Sequence, residues 1–285
     1  MADIAYYLKI AGVQKREMIS LLALVCNREA SWLYAHPAYT LTAAENKKIK
    51  NRFDRLQQGE PLAYILSFQD FFNCRFRVSP AVLIPRPESE LIVEDGLEYV
   101  NKNKQALIFD LGTGSGALII SLANELQKNN GIFTHCRFYA GDISAAALTI
   151  AKSNAKTYKL TKNIIFKKGD LFLPFTSIIS KYPAAPIFIA ANLPYLTPAE
   201  QKNEPSIARE PKLALVGGRD GLSLYHRLLA QLKPALADRS FCVIMEINPN
   251  QAGALSKLAK TALPQATIKK VPDLTGRTRF ISITR

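Results

Sequence analysis

Residues Asp110 to Gly116, with the sequence Asp-Leu-Gly-Thr-Gly-Ser-Gly, have the composition of a loop that binds a small cofactor. Glycine permits tight turns and lets a ligand approach the backbone closely. Several nucleotide cofactors use such loops, but here the glycines follow a GxGxG spacing and Asp110 precedes the first of them by two residues. A negative charge there repels a pyrophosphate and suits the ammonium group of a methionyl moiety. The loop therefore favours S-adenosylmethionine.

Two further acidic residues follow later apolar segments. Asp142 is positioned to accept hydrogen bonds from two ribose hydroxyls, and Asp170 from an adenine amino group, with Leu171 against the ring. Each acid alone could be a simple helix cap. Three acids after successive strands, together with the glycine loop, predict a cofactor site. Its predicted residues are Asp110, Gly112, Thr113, Gly114, Ser115, Gly116, Asp142, Asp170 and Leu171.

The turn Asn192-Leu193-Pro194-Tyr195 places hydrogen-bond acceptors beside an aromatic ring. An amide or exocyclic amine nitrogen is a poor nucleophile because its lone pair is delocalised. The side-chain carbonyl of Asn192 and the main-chain carbonyl of Pro194 could each accept one N–H bond and aim that lone pair at a sulfonium methyl group. Tyr195 would stack on the flat group. We therefore predict Asn192, Pro194 and Tyr195 as catalytic and Asn192 to Tyr195 as the substrate-binding turn, without a metal.

The elements that must position these residues alternate between strand and helix from Gln105 onward. This alternation predicts an α/β fold with a mostly parallel, doubly wound sheet and ligands at the carboxyl ends of its strands. With the predicted S-adenosylmethionine site, it indicates a Rossmann-like class I methyltransferase sheet, and the helical spacing before residue 60 indicates a small N-terminal helical domain. The predicted strands are ALIFDLG, CRFYAGD, NIIFKKGD, APIFIAAN, SFCVIMEI, ATIKKV and RTRFISIT.

The chain divides on these patterns into three segments. Residues 1–60 form a predicted helical domain for substrate recognition, in which Thr42 and Glu45 resemble a capping box. Residues 61–104 form a hairpin and lid linker, with YILSFQDFF and CRFRV as two strands around a turn near Phe72 and Asn73. Residues 105–285 form the S-adenosylmethionine-dependent methyltransferase domain.

Composition limits the function classes. The 285 residues carry a formal net charge of +14, which favours an acidic partner and gives no information on fold. Much of the excess lies in two lysine-rich stretches, 150–181 and 257–285, which are either solvated faces or a docking face. The four widely spaced cysteines indicate neither a zinc site nor a disulfide framework. No signal peptide or membrane span is indicated, and we expect a soluble cytoplasmic protein.

Several segments together resemble the peptide-chain release factor glutamine methyltransferases, the HemK/PrmC family. The resemblance runs from about residue 59 to the C-terminus and implies N5-methylation of the glutamine in the Gly-Gly-Gln loop of class 1 release factors, which supports translation termination. By position it implies that Gly112 to Gly116, Asp142, Leu171 and Asn192 contact the cofactor. The segments are GEPLAYI (59–65), LIPRPESE (83–90), DLGTGSG (110–116), the Asn-x-Pro-Tyr turn, EPKLALVGGRDGL (210–222) and PDLTGRTRF (272–280).

The sequence departs from the family at two positions. Leu193 stands where the family usually has Pro, and Asn-Leu-Pro-Tyr is typical of rRNA adenine dimethyltransferases; Ser67 stands where the family tends to have Gly. An adenine-N6 methyltransferase acting on rRNA or DNA is therefore the alternative, although no target-recognition domain or basic-aromatic stretch favours direct nucleic-acid binding. A ribosomal-protein glutamine methyltransferase and an inactive binding module also stay open, as do the roles of Arg86, Glu88 and Glu246.

Overall fold

The structure is a computed structural model that describes residues 2–10, 12–128 and 130–285. Its contacts divide the chain into two compact units, Met1–Gln69 and Asp70–Arg285. Among the described residues, no helix is both long enough and apolar enough to span a bilayer.

The first unit consists of short helices around its own apolar core. Thr42 begins the longest of them with the predicted capping box: its backbone N–H donates to Glu45 Oε2 at 2.8 Å, and Glu45 N donates to Thr42 Oγ1 at 3.2 Å. Met18, Leu21 and Leu22 recur at helical spacing and are buried in the core. The helices are α1 Ile4–Leu8, α2 Lys15–Cys26, α3 Ala30–Ala35, α4 Ala43–Gln57 and α5 Leu62–Leu66.

Helix α5 corrects the prediction that YILSFQDFF is one continuous strand. Leu62, Ile65 and Leu66 have helical spacing and pack into the core of the first unit, which offsets the aromatic and β-branched composition of the segment. Ser67 then ends the helix with φ of 66°, a left-handed conformation that favours glycine. Only β1 Phe68–Phe71 is extended, and it forms a two-stranded sheet with β2 Cys74–Arg77.

A seven-stranded sheet organises the described part of the second unit. Its strands are β3 Leu107–Leu111, β4 Arg137–Asp142, β5 Ile164–Lys168, β6 Ile187–Ala191, β7 Phe241–Glu246, β8 Thr267–Pro272 and β9 Thr278–Thr284. The spatial order is β5-β4-β3-β6-β7-β9-β8. Strand β9 runs antiparallel to the other six strands, which all point the same way. The chain leaves the central strand first toward β5 and later toward β8, so the order reverses at β3 and β6. The mostly parallel Rossmann-like sheet is thus confirmed.

Helices cover both faces of this sheet. One apolar cluster joins Ile108 and Phe188 to α6 and α7, and the other joins Phe109 and Ile189 to α12 and α13. Because both faces are buried, β3, β6 and β7 are apolar along nearly their whole length. The helices are α6 Glu90–Asn103, α7 Ala117–Lys128, α8 Asn130–Phe133, α9 Ala145–Thr157, α10 Thr176–Ile179, α11 Pro198–Asn203, α12 Ser223–Leu236 and α13 Ala252–Ala262.

Candidate active site

The glycine loop turns from the end of β3 into α7 and is fastened to β4. The carbonyl oxygen of Gly141 accepts from the backbone N–H groups of Gly112 and Thr113, each at 2.9 Å. Asp142 Oδ2 accepts from the backbone N–H of Gly114 at 2.9 Å, and Gly114 has a positive φ of 55°. The loop therefore needs glycine for its backbone conformation, and Asp142 holds it in place.

Two cavities adjoin the turn 192–195, and Asp110, which lies beneath the glycine loop, does not line the larger of these two. Its Oδ2 accepts from the hydroxyl of Thr113 at 2.6 Å, while its buried Oδ1 has no hydrogen-bond partner among the described residues. Burial and, to a smaller extent, the nearby charge of Asp142 raise the pKa of Asp110 to about 7, although the hydrogen bond from Thr113 opposes the rise. The carboxyl group thus lies under the loop and is bonded to Thr113; Ser115 of the same loop is also buried.

Asp142 and Asp170 both face the larger cavity, but other groups already contact them. Asp142 Oδ1 accepts from the backbone N–H of Ser144 at 2.8 Å, and burial raises the pKa of Asp142. Asp170 forms an ion pair with Arg227 at 2.5 Å and accepts from Gln231 Nε2 at 3.1 Å. Both acids are therefore oriented before any ligand arrives.

Leu171 adopts a strained left-handed conformation at the wall of the same cavity, with φ of 49°. Gln231 stabilises this turn from α12, because its Oε1 accepts from the backbone N–H of Phe172 at 2.8 Å while its Nε2 donates to Asp170. Leu171 thus lines the cavity and also packs against the apolar core of the second unit.

The larger cavity, with a volume of about 360 Å³, opens at the carboxyl ends of β3 to β6. Gly112, Gly114, Asp142, Asp170, Leu171 and Asn192 of the predicted cofactor set line it, whereas Asp110, Thr113, Ser115 and Gly116 support it from behind. Its wall includes two large apolar side chains left open to solvent, Ile143 at 52% exposure and Leu213 at 61%. Carboxylates at one part and exposed apolar side chains at another suit a ligand with both hydroxyl groups and a flat ring.

A second cavity, of about 230 Å³, lies on the other side of the Asn-Leu-Pro-Tyr turn. Asn192 and Leu193 line both cavities, as do Leu83 and Ala214, so the two spaces adjoin at this turn. Leu193 is buried and fills the space above Gly112: a Cβ added to that glycine would lie 3.0 Å from Leu193 Cδ2. Leucine at this position thus packs between the two cavities.

A buried polar chain runs from the turn into the second cavity. Asn192 Nδ2 donates to Ser89 Oγ at 2.9 Å, and the Ser89 hydroxyl donates to Glu246 Oε2 at 2.5 Å. The hydroxyl of Tyr195 donates to Glu246 Oε1 at 3.3 Å and accepts from Arg279 at 2.9 Å. Burial raises the pKa of Glu246, while its bond with Ser89 and the charge of Arg279 oppose the rise.

Tyr195 is held at both its ring and its hydroxyl. The guanidinium of Arg279 lies 5.5 Å from the centroid of the Tyr195 ring, and burial together with Glu246 raises the pKa of the Tyr195 hydroxyl. The tyrosine is therefore a neutral donor near neutral pH, and a cation lies against its ring.

Glycines of the segment 210–222 pack directly against the turn. A Cβ added to Gly217 would lie 2.2 Å from the carbonyl oxygen of Pro194, and one added to Gly221 would lie 2.1 Å from that of Tyr195. Gly217 N also donates to the Leu196 carbonyl at 2.9 Å. Backbone-to-backbone contact of this kind excludes any side chain, which explains why this segment carries glycine here.

Sequence reasoning missed several residues that build the site. Ser89 lies inside the motif 83–90 and Arg279 inside the motif 272–280. The resemblance of these motifs to the family could therefore have pointed to both residues. No local sequence pattern indicated that Gln231 belongs to the site. Asn154 was equally unmarked, although it ties the glycine loop to β2 by donating to Ser115 O at 2.8 Å and accepting from Arg77 N at 2.8 Å.

The undecided charged residues line the second cavity. Arg86, Glu88 and Glu246 all lie there, and Arg86 forms an ion pair with the buried Glu210, whose Oε2 also accepts from Ile84 N at 3.0 Å. This pair joins the motif 83–90 to the motif 210–222. In the parts of the chain that the structure describes, no group of three or more His, Cys, Asp or Glu side chains could hold a metal ion.

Comparison with known proteins identifies the family. The PrmC N-terminal domain family matches residues 3–66, and a methyltransferase domain family matches residues 102–268. A release factor glutamine methyltransferase of Moorella thermoacetica is 34% identical over 95% of this chain and 92% of its own length. The chain belongs to the release factor glutamine methyltransferase family. The corresponding protein of Bacillus subtilis is 32% identical over 96% of this chain and 93% of its own.

Solved structures agree on the fold. The N-terminal domain of human METTL16, determined in complex with SAH, superposes with a TM-score of 0.50 at 17% identity, over 81% of this chain and 82% of that one. The METTL16 catalytic domain bound to an RNA hairpin gives a TM-score of 0.53 at 14% identity, over 74% of this chain and 75% of that one. At such identities the likeness concerns the methyltransferase fold alone.

Proposed function

We propose that this protein transfers a methyl group from S-adenosylmethionine to the side-chain amide nitrogen of the glutamine in the Gly-Gly-Gln motif of class 1 release factors, in the cytoplasm. The observation that carries the proposal is the position of Asn192, which lines both cavities at the point where they adjoin. An acceptor at that point can hold a substrate nitrogen beside a methyl donor. Relatives of this chain over nearly their full length bear the same activity in their names.

The residues of the larger cavity fit S-adenosylmethionine. Asp142 offers carboxylate lone pairs to ribose hydroxyls, and Ile143 and Leu171 offer apolar surface to an adenine. Asp110 does not line the cavity; its buried carboxyl lies behind the loop that would face the methionyl ammonium. Asp170 faces the adenine end, although its bonds to Arg227 and Gln231 compete with a further partner. When bound, the cofactor supplies a methyl group on a positively charged sulfur, which is strongly electrophilic.

The residues of the turn act on the substrate nitrogen. Asn192 Oδ1 and the Pro194 carbonyl accept its two N–H bonds, which orients the lone pair toward the larger cavity and favours pyramidalisation. Tyr195 offers its ring to the amide plane. Once it carries the methyl group, the nitrogen would be cationic and strongly acidic and would give up one of these protons without a strong base.

The helical unit at residues 1–60 is the part we assign to recognition of the release factor. It has a core of its own and exposes large aromatic side chains, Tyr6 at 58% and Tyr34 at 55%. A methyltransferase domain needs no such unit to hold its cofactor, and protein surfaces that expose aromatic residues are typical of binding sites.

A labelling experiment tests the assignment. Purified protein and methyl-labelled S-adenosylmethionine are incubated with a release factor, with its Gly-Gly-Gln→Gly-Gly-Ala variant, and with rRNA or DNA. We expect label on the intact factor alone, and Asn192→Ala should lower its rate at least about 100-fold with the affinity for the methyl donor nearly unchanged. Label on nucleic acid would support the adenine-N6 alternative, and the absence of label on every acceptor would favour a binding module.

A further inference from the structure

The amide of Asn192 has two ends that look alike in shape and differ in chemistry: the oxygen accepts hydrogen bonds and the NH₂ group donates them. Only the oxygen can hold a substrate N–H. In the structure the NH₂ group faces Ser89 Oγ at 2.9 Å, which turns the oxygen toward the cavities. What keeps the amide in this orientation is therefore part of the chemistry of the site.

The direction of the hydrogen bonds is decided at Glu246. A carboxylate accepts hydrogen bonds and does not donate them. The Ser89 hydroxyl therefore donates its single proton to Glu246 Oε2, at 2.5 Å. The Ser89 oxygen is then left with lone pairs only, and it can bind the NH₂ end of Asn192 but not the carbonyl end. Ser89 and Glu246 are 3% and 1% exposed, so bulk water has little access to these bonds.

The other carboxylate oxygen is occupied by donors that stabilise its charge. Glu246 Oε1 accepts from the Tyr195 hydroxyl at 3.3 Å and lies 3.5 Å from the guanidinium of Arg279. Because both of these donors lie at Oε1, the other oxygen, Oε2, is left to accept the hydrogen bond from Ser89.

We propose that Ser89 and Glu246 are positioning residues that hold the Asn192 amide with its carbonyl oxygen toward the substrate. The inference rests on the proposed function, because it supposes that the acceptor is an N–H group. Neither residue touches the reacting atoms; Glu246 sets the direction of the Ser89 proton, and that direction sets the orientation of Asn192.

The hydrogen bonds that run from Glu246 through Ser89 to Asn192 form a relay. The substitution Glu246→Gln tests this relay with little change of shape. Tyr195 and Arg279 are donors, so the glutamine oxygen stays on their side and its NH₂ group faces Ser89. The Ser89 proton must then turn toward Asn192, which attracts the amide oxygen and leaves the NH₂ end facing the substrate. We expect kcat to fall roughly 100-fold, with the Kd for S-adenosylmethionine and the Tm close to those of wild type.

A second substitution separates positioning from mere structural support. Asn192→Asp alone places a carboxylate oxygen against the Ser89 lone pairs and should be nearly inactive. In the Glu246→Gln, Asn192→Asp double variant, the reversed Ser89 proton meets one carboxylate oxygen, and the other again faces the substrate as an acceptor. We expect the double variant to be at least about tenfold faster than either single variant, because coupled residues deviate strongly from additivity.

Each outcome decides a separate question. Wild-type protein that labels no release factor refutes the proposed function. Wild-type protein that labels it while Glu246→Gln is equally fast, or a double variant as slow as the product of the single effects, overturns the relay. A readout without turnover is the side-chain amide signal of Asn192 in ¹⁵N-labelled free protein: we expect it to shift in Glu246→Gln, and an unshifted signal would contradict reorientation.

Discussion

Asp110 combines a carboxyl group with almost complete burial and an oxygen that finds no partner among the described residues. A charge that is neither solvated nor fully hydrogen-bonded raises the free energy of the folded protein, so the ionised form is disfavoured. The pKa of Asp110 therefore rises to about 7. In the unfolded chain the same group has a pKa of about 3.9. Between these two values the folded protein binds more protons than the unfolded one.

This difference predicts a pH dependence of stability. Because the folded-state pKa is raised, the contribution of Asp110 is fully present below about pH 4 and is lost as the pH rises through about 7. The upper limit of the loss is about 4 kcal/mol. We expect the free energy of unfolding in urea to fall between pH 5 and pH 8 more steeply in wild type than in Asp110→Asn, which still accepts from Thr113 but does not titrate. Parallel pH profiles of the two proteins would contradict the raised pKa.

At this scale the sequence identified residues that belong to recognisable local patterns. Asp142 ends β4, Asp170 and Leu171 lie within three residues of the end of β5, and Asn192 follows β6; each lines the predicted cavity. Ser89 was not singled out, because it reaches Asn192 across 103 positions of sequence. A hydrogen bond between distant segments leaves no local periodicity, so pattern reasoning cannot find it.

At the scale of elements, the turn 192–195 depends on the segment that lies against it. Gly217 and Gly221 allow the two backbones to meet, and the Leu196 carbonyl and N–H bond to residues 217 and 215 of that segment at 2.9 Å each. The carbonyl of Pro194, the second proposed acceptor, is thus placed by its neighbour as much as by its own turn.

Gly217→Ala should therefore damage the turn. The added Cβ would lie 2.2 Å from the Pro194 oxygen and 2.6 Å from that of Gly221, so the backbones must separate, at a cost of about 1–3 kcal/mol. We expect a lower Tm and a loss of kcat that exceeds the loss of methyl-donor affinity. Gly253→Ala, in helix α13 with no described atom within 4 Å of its new Cβ, is the matched control and should be neutral or slightly stabilising. Equal behaviour of the two variants would exclude this role for Gly217.

Elements differ in how well their sequence defines them. The strands of the parallel sheet were predicted because burial on both faces makes them continuous apolar runs bounded by polar turns. In the segment 64–72, residues 64–66 were assigned wrongly, because helix α5 is set by packing in the core of the first unit and not by its aromatic composition, whereas residues 68–71 form a strand as predicted. Tertiary contact overrides local propensity most easily in such short elements.

At the scale of the whole molecule, the chain consists of two units with separate cores. The cavities and the polar chain described above lie entirely within residues 70–285. We therefore expect substitutions on the surface of the first unit to leave binding of the methyl donor unchanged.

Substituting the two exposed aromatic residues of the first unit tests this separation. Tyr6→Ser and Tyr34→Ser together should raise KM for the release factor at least about tenfold, since buried interface tyrosines often contribute more than 1 kcal/mol each. The Kd for S-adenosylmethionine and the kcat should stay near wild type. Ile165→Ser, which removes a side chain 49% exposed in the second unit, serves as the control. An unchanged KM in the tyrosine variant would locate recognition elsewhere.

The strand order β5-β4-β3-β6-β7-β9-β8 leaves β5 and β8 at the margins of the sheet, each with backbone groups that no described strand pairs. Such margins are templates on which another chain can add a strand. Here each carries adjacent lysines, Lys167 with Lys168 and Lys269 with Lys270, and β8 ends at Pro272, which has no N–H to donate. If two molecules paired through these edge strands, their lysine ammonium groups would approach and repel one another, and the ammonium groups would lose water of hydration. The lysine-rich stretches therefore discourage aggregation through intermolecular β-pairing, and this part of the positive charge needs no binding partner to explain it.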